Sequence, residues 1–308
     1  MDHLDPLVDS FLNMIEARVI ADSISESGKR ITTLQVKFHR FILPEFNTHR
    51  VFSRNFSSSR AIPTKKLLEQ VRNDPAMPVH WGKNQPGMQA NEELDSLTIR
   101  SAKASWIAAA NEAASRAAIL AEMGVHKQIV NRLIEPFLWA NGIVTSTEWA
   151  NWFDLRAHED AQPEIHELAL RMREAMETST PRLLKFGEWH LPYISEDERN
   201  DQFFKVPANR NMLQKISAAR CCRVSYLKHD GQVPDVNDDL ALFQRLAGAV
   251  PRHLSPLEHQ ATPIETDPSL RSHLDAYGNM FSGNLKGWLQ YRNLFLYEEV
   301  GHTPPWTS

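Results

Sequence analysis

Strand-like alternation near both ends of this 308-residue chain, with helical periodicity between them, most constrains how it can fold. Arg18–Ser25, a turn at Glu26-Ser27-Gly28-Lys29, and Arg30–Leu43 read as a β-hairpin. In the second arm Leu34, Val36 and Phe38 alternate with Gln35, Lys37 and His39, the period of a half-buried strand, and Pro44 ends it. A polar segment, Asn47–Arg60, follows and is closed by Pro63. Helices are predicted at Thr64–Arg72, at Leu97–Met123 (Ala-rich and stopped by Gly124), at His126–Phe137 and at Thr145–Ala157. Another runs over Ala161–Met176, with Asp160 as its cap and Pro163 in its first turn. Asn73 to Asp95 reads as a loop. In the last third, Asn211–Cys222 and Asp238–Ala249 read as helices and Arg223–Leu227 as extended. His253–Thr262 reads as a turn into an extended piece, and Asn284–Asn293 as an amphipathic helix. Without repeats or a clear linker, the pattern predicts one α+β domain, residues 1–308, whose core uses both termini.

Charge and cysteine usage exclude several functions. Lys plus Arg is 34 against 38 Asp plus Glu, a net charge of -4, which argues against a broad grip on nucleic acid. A net charge of -4 does not exclude a local basic pocket for one phosphate. The two cysteines, Cys221 and Cys222, are adjacent, a spacing that suits neither a structural disulfide nor zinc and fits a reducing, cytoplasmic compartment. The acidic start lacks the pattern of a signal peptide, and no apolar run is long enough for a membrane span.

Four segments could carry chemistry. Thr48-His49-Arg50-Val51-Phe52-Ser53-Arg54-Asn55-Phe56-Ser57-Ser58-Ser59-Arg60 combines guanidiniums and hydroxyls in a loop leaving a strand. It suits a phosphate cradle, while composition alone reads as a solvated polar loop. In Leu155-Arg156-Ala157-His158-Glu159-Asp160-Ala161-Gln162-Pro163-Glu164-Ile165, Arg156 and Asp160 stand at the spacing of a surface ion pair. The other reading turns Arg156 and Gln162 into a pocket for a planar heterocycle. Arg220-Cys221-Cys222-Arg223-Val224-Ser225-Tyr226 and His253-Leu254-Ser255-Pro256-Leu257-Glu258-His259 are each weak alone. The cysteine pair reads as buried filler, with no base beside either thiol. His158-Glu159-Asp160 and His166-Glu167 suggest a metal, but the zincin spacing is absent and none is expected.

Together these segments resemble the flavin-dependent thymidylate synthase family. Its Arg-His-Arg, seven residues, then Ser signature is matched in spacing by Thr48-His49-Arg50 and Ser58, with Asn55 and Arg60 matching the ending. Leu155, Arg156, Ala161, Gln162, Glu164 and Ile165 match its Leu-Arg and Ala-Gln-x-Glu-Ile marker, and Arg132, Leu133 and Pro136 match its upstream helix. Segments that typically come first in the family lie late here: Arg223-Val224-Ser225-Tyr226, Ser255-Pro256-Leu257-Glu258-His259 and Gly283-Asn284-Leu285-Lys286-Gly287-Trp288-Leu289-Gln290-Tyr291-Arg292. A circularly permuted order accounts for this, and for sheet-forming character at both ends. The resemblance implies a central, mostly antiparallel sheet flanked by a bundle of long helices.

It also implies an activity: dUMP converted to dTMP with methylenetetrahydrofolate as one-carbon donor, reduced FAD as hydride source and NADPH as reductant. By match, Arg156 and Ser58 are catalytic, with Arg156 polarising the uracil edge. Arg132, Ser58, Ser59, Arg60, Arg156, Gln162 and Glu45 bind substrate. His49, Arg50, Asn55, Ser225, His259 and Asn151 bind flavin. The resemblance further implies a homotetramer whose sites are shared between subunits, in the cytoplasm (of the host, if viral). Thr48, Phe56 and Glu45 depart from the family's arginine, glutamate and glutamine. Those departures leave open dUMP or dCMP as substrate and a methyl or hydroxymethyl product, the latter as some phage pathways require. A nucleotide- or flavin-binding protein without turnover, and a metal-dependent nucleotide hydrolase, are the competing readings from other classes.

Overall fold

The computed structural model describes residues 15–209, 211–225, 232–264 and 284–297. The expected hairpin forms from β1 (Glu16–Ser25) and β2 (Arg30–His39), with Ala17 opposite Val36 and Val19 opposite Leu34. Gly28 closes its turn at φ 80°, a conformation that a side chain would strain. The second strand ends earlier than expected. Arg40–Ile42 coil into a 3₁₀ turn, and Pro44 sits in the first turn of a short helix, Leu43–Phe46, where its missing N–H is harmless.

Two strands lie where the sequence suggests something else. β3 (Ser53–Phe56) occupies the polar segment, and β4 (Trp139–Ser146) takes residues Thr145 and Ser146 from a predicted helix. A strand buried on both faces loses the polar-apolar alternation that would reveal it, and all but Asn141 of β4 is buried. With β5 (Arg182–Leu184), which pairs parallel to β1, the sheet order is β3-β4-β2-β1-β5. The other pairings are antiparallel, so the expected α+β class with a mostly antiparallel sheet is observed.

Period-two geometry gives the sheet two different faces. Leu34, Val36, Phe38 and Val144 face α3 (Ala150–Arg156) and α4 (Pro163–Glu177) in a core completed by Phe46, Phe52, Trp152, Ile165, Leu168 and Met172. The N-cap position of helix α4 is Gln162, which makes no side-chain cap bond, and not the predicted Asp160. A smaller layer packs α1 (Thr64–Asn73) against α2 (Ser96–Glu122) and the 3₁₀ segment Asn131–Phe137, through Leu67, Val71, Ala110, Ala114, Ala117 and Ile134. Helix α2 follows its predicted span, capped by the Asp95 carboxylate on the N–H groups of Leu97 and Thr98. His126–Phe137, read as one helix, is a single α-turn (Lys127–Val130) running into that 3₁₀ segment, which holds Pro136.

The opposite face presents Ser23, Ile31, Thr33, Ile143 and Thr145, and the last third of the chain covers it. Ile143 packs with Tyr193, Cys221 and Val224, and Ile31 with Leu184, Ala261, Leu285 and Trp288. Here α5 (Met212–Arg223) and α6 (Val236–Ala247) meet the predictions. Val224 is the left-handed cap of α5 (φ 58°) rather than the start of an extended run, and Tyr226 and Leu227 lie outside the described residues. Within the predicted helix Asn284–Asn293, residues 284–287 form turns and Trp288–Gln290 form β7, paired with β6 (Ala261–Pro263), before α7 (Tyr291–Tyr297). Ladder pairing thus overrides helical periodicity in that short stretch.

Gly142 lies close against β3: a Cβ there would lie 2.2 Å from Phe56 Cδ1. Gly142→Ala is therefore expected to destabilise the protein by about 1–3 kcal/mol through overpacking. Chemical denaturation would detect this, and a variant of wild-type stability would contradict the packing of β3 on β4.

Candidate functional site

A cleft of about 1890 Å³ opens between α4, the loop that follows α1 and the start of α2. Arg156, Gln162 and Glu45 line it together, as do Glu164, His80, Phe41, Trp106 and Trp139. Arg156 ends α3, and its Nε donates to His49 Nε2 at 3.0 Å. Asp160, the expected ion partner of Arg156, instead approaches His158 at 3.5 Å. Burial, with the nearby charges of Arg156 and Arg54, pushes the His49 pKa down to about 4. His49 is therefore a neutral acceptor whose other nitrogen carries the proton, and it aims Arg156 from beneath. Trp152, edge-on at 4.7 Å, and Phe52 hold the imidazole in place. Gln162 donates to Glu164, whose carboxylate also accepts from the Val79 N–H at 3.0 Å, tying the cleft's two walls together. Burial raises the Glu164 pKa.

A second grouping gathers where β2 ends and β4 starts. Ser59 Oγ, an Arg132 guanidinium nitrogen and an Arg40 guanidinium nitrogen all reach Glu135 Oε1, at 2.6, 2.7 and 3.1 Å. Asn131 fixes the same loop by donating to the Ser59 carbonyl at 2.7 Å. Ser58 and Arg60, either side of Ser59, are exposed. Neither Ser58, Ser59, Arg60 nor Arg132 lines the large cleft within one chain.

The third grouping reunites segments far apart in sequence. Asn55 donates to the Cys221 carbonyl at 2.9 Å, at the end of α5 and close in sequence to Ser225. Ser53 Oγ accepts from Asn284 and Gln290, both at 3.0 Å, and Asn284 also donates to the Val51 carbonyl. Glu258 pairs with Arg292 and offers its carbonyl to Gln290. All the late segments that were singled out in the sequence thus dock on the Thr48–Arg60 stretch, although Tyr226 and Gly283 lie outside the described residues.

His259 is sealed beneath the sheet, where its Nδ1 hydrogen-bonds Thr145 Oγ1 at 2.8 Å. From there a buried chain runs through Thr33 and His190 Nε2 to Ser23, which meets His190 Nδ1 at 2.9 Å. Sequence reading missed His190, Thr33, Thr145, Arg40 and Glu135. Only Glu135 carried a local signal, its spacing of three from Arg132. The thiols of Cys221 and Cys222 are pushed up by burial, which leaves them protonated. Arg220 and Arg223 are committed to Glu198 and Asp239 in a buried ion network. Among the described residues, no helix is long and apolar enough to cross a membrane.

As to what could hold a cofactor, Arg50 and Asn151 are exposed and Ser225 is half-buried. Asn55 and His49 already bond within the chain. The guanidiniums and hydroxyls in reach of solvent suit the phosphoryl groups of a dinucleotide, and the aromatic walls of the cleft suit a flat ring.

The structure is an α+β scaffold with Arg156, Gln162 and Glu45 lining one cleft and a separate cluster of hydroxyls and guanidiniums around Glu135. The chain belongs to the thymidylate synthase complementing protein family (Thy1), whose model matches residues 29–182, half of its length. That match ends before α5, so it excludes the late segments that dock on β3. Similar solved structures include the UMP/dUMP methylase PolB from Streptomyces cacaoi bound with 5-Br UMP, at 16% identity and TM-score 0.46. That likeness covers 53% of this chain and 88% of the other. The same methylase bound with 5-Br dUMP matches at 15% identity and TM-score 0.44, over 53% of this chain and 89% of the other. No curated protein sequence matches the chain.

Four buried imidazoles give the fold a defined pH response. Burial pushes the pKa down from 6.5 to about 4 in His39 and His49, and to about 3 in His190 and His259. The folded state then binds fewer protons than the unfolded one, so this stability is complete above pH 6.5 and is lost as pH falls towards about 4. Glu164 and Asp74, raised by burial, act in the opposite sense and are outnumbered. The melting temperature is expected to fall steadily between neutral pH and about pH 5. A flat profile there would contradict the neutral, buried histidines.

Proposed function

We propose that this protein is a flavin-dependent thymidylate synthase that converts dUMP to dTMP, with methylenetetrahydrofolate as one-carbon donor. The observation that carries the reading is the docking of the late segments, through Asn55, Ser53 and Thr145, around the Thr48–Arg60 stretch. Chance likeness of scattered short motifs gives no reason for them to share one location. Family membership supports the same activity class.

In this reading Arg156, held from below by neutral His49, hydrogen-bonds the uracil edge and draws electron density from the ring. Gln162 and Glu45 line the same cleft and complete the contacts to the base. Ser58, Ser59, Arg60 and Arg132 hold the phosphate and sugar, with Ser58 beside the reacting nucleotide. Arg50, Asn151 and Ser225 would hold FAD, together with His49, Asn55 and His259 as supports behind them. The chemistry that FAD would supply there, once reduced by NADPH, is the hydride that completes the methyl group. The buried, protonated cysteines agree with a route that needs no thiolate. The whole chain, residues 1–308, acts as one domain in a cytoplasmic homotetramer. Because Ser58 and Arg132 stand apart from the cleft in one chain, a neighbouring subunit brings the phosphate end of one site to the base end of another.

Glu45 favours a second reading. A carboxylate in the cleft accepts hydrogen bonds but donates none, which suits the exocyclic amine of cytosine better than the carbonyl of uracil. That reading is a flavin- and folate-dependent hydroxymethylase of dCMP or dUMP.

Purified protein is expected to be yellow and to turn dUMP, methylenetetrahydrofolate and NADPH into a product whose mass identifies dTMP. A hydroxymethyl product, or turnover of dCMP alone, would select the second reading; a colourless protein with neither product would end both. Arg156→Ala is expected to lower kcat/KM by about 10²–10³-fold while leaving the melting temperature close to wild type. Unchanged turnover would remove Arg156 from the site.

A further inference from the structure

The geometry points to Glu135 as a positioning residue that pre-forms the phosphate-binding end of the site. This deepens the function proposed above and rests on it for the identity of the nucleotide. One oxygen, Glu135 Oε1, collects donors from three separate parts of the chain. Ser59 Oγ comes from the loop after β3 at 2.6 Å, Arg132 from the 3₁₀ segment at 2.7 Å, and Arg40 from the end of β2 at 3.1 Å. Burial opposes ionisation of Glu135, but the Ser59 and Arg132 hydrogen bonds, with the charges of Arg40 and Arg132, hold its pKa below the ordinary value. The carboxylate is therefore charged at neutral pH.

Stability explains only the part of this arrangement that is largely buried, Arg40 and Ser59 on Glu135. The Arg132 side chain is 52% exposed, and ion pairs of that kind contribute little. What the carboxylate does supply is direction. A free arginine or serine side chain samples several rotamers, and a ligand that binds it must offset that freedom. Glu135 holds Arg132 and the Ser59 hydroxyl at fixed positions, while the exposed part of the Arg132 guanidinium remains available to a ligand. Ser58 and Arg60 flank Ser59 and are exposed on the same loop. The Arg40 guanidinium, which no family motif included, joins the cluster through Glu135. The ligand class that fits is a phosphate monoester.

The test compares wild-type protein with Glu135→Ala and Glu135→Gln, each checked by its melting temperature. Inorganic phosphate, dUMP and deoxyuridine are titrated by calorimetry. The alanine variant is expected to bind phosphate and dUMP about tenfold more weakly. Deoxyuridine affinity should be unchanged. The glutamine variant keeps an acceptor oxygen and is expected to recover most of the loss. In turnover, KM for dUMP rises while kcat holds. Unchanged or tighter phosphate binding in the alanine variant, or no phosphate binding by the wild type, would overturn the proposal. Glu135-dependent phosphate binding without conversion of dUMP would leave the clamp standing and remove the synthase reading, so the two failures are distinct.

Discussion

Strand β4 is hydrogen-bonded along both edges, to β2 and to β3, and the candidate site hangs from it. Phe56 packs where Gly142 has no side chain, which lets β3 lie close. The Asn141 carbonyl accepts from the Ser57 N–H and carries the chain from β3 towards Ser58 and Ser59. At its start β4 pairs Trp139 with His39, which places the Asn131–Phe137 turn next to Arg40. At its other end Thr145 reaches His259. One buried strand therefore fixes the positions of the arginine-serine stretch, of Glu135 and of the late segments relative to one another.

The two faces of that sheet do different physical work. On the α3–α4 face the contacts are apolar and aromatic, and they tolerate exchange of one hydrophobic group for another. On the other face polar groups lie out of reach of water: Ser23, Thr33, Thr145, His190 and His259. Each must find its partner there, because an unpaired polar group in such a place is expensive. The Ser23–His190–Thr33–Thr145–His259 chain answers that need, save at His259 Nε2, only when the last third of the protein is seated in one register. Polar matching thus selects the docking geometry, while Ile31, Leu184, Ala261 and Trp288 supply the apolar contact.

Local signals carried the hairpin, helices α1, α2, α4, α5 and α6, and the turn into β6, because each has its own period, cap or stop. Trp139–Ser146 was opaque for a physical reason: a strand buried on both faces shows no alternation, and the helical character of the next segment extended over its end. The Trp288–Gln290 stretch was opaque because its pairing with Ala261–Pro263 lies outside any local window. In the site, Arg156, Gln162 and Glu45 were legible as residue types, and the cleft brings those three together. The partner that orients Arg156 was legible only as a family match for flavin. That His49 accepts from Arg156 depends on the fold of a segment more than a hundred residues away in the chain.

Sequence order matters little to such a site because every element of it is held by contacts across the chain. Asn55 meets Cys221, Asn284 meets Val51, and Gln290 meets Ser53; none of these pairs needs a short connection. A half-domain that ends near residue 182 would expose Thr33, Thr145 and Ile143 to water on one face of the sheet. The family-matched half is therefore incomplete as a packed body, and the remainder of the chain is the part that closes it. That the closing segments are also the ones with family-like motifs follows from geometry: residues that cover β3 and β4 necessarily lie against the loop that carries the arginines and serines.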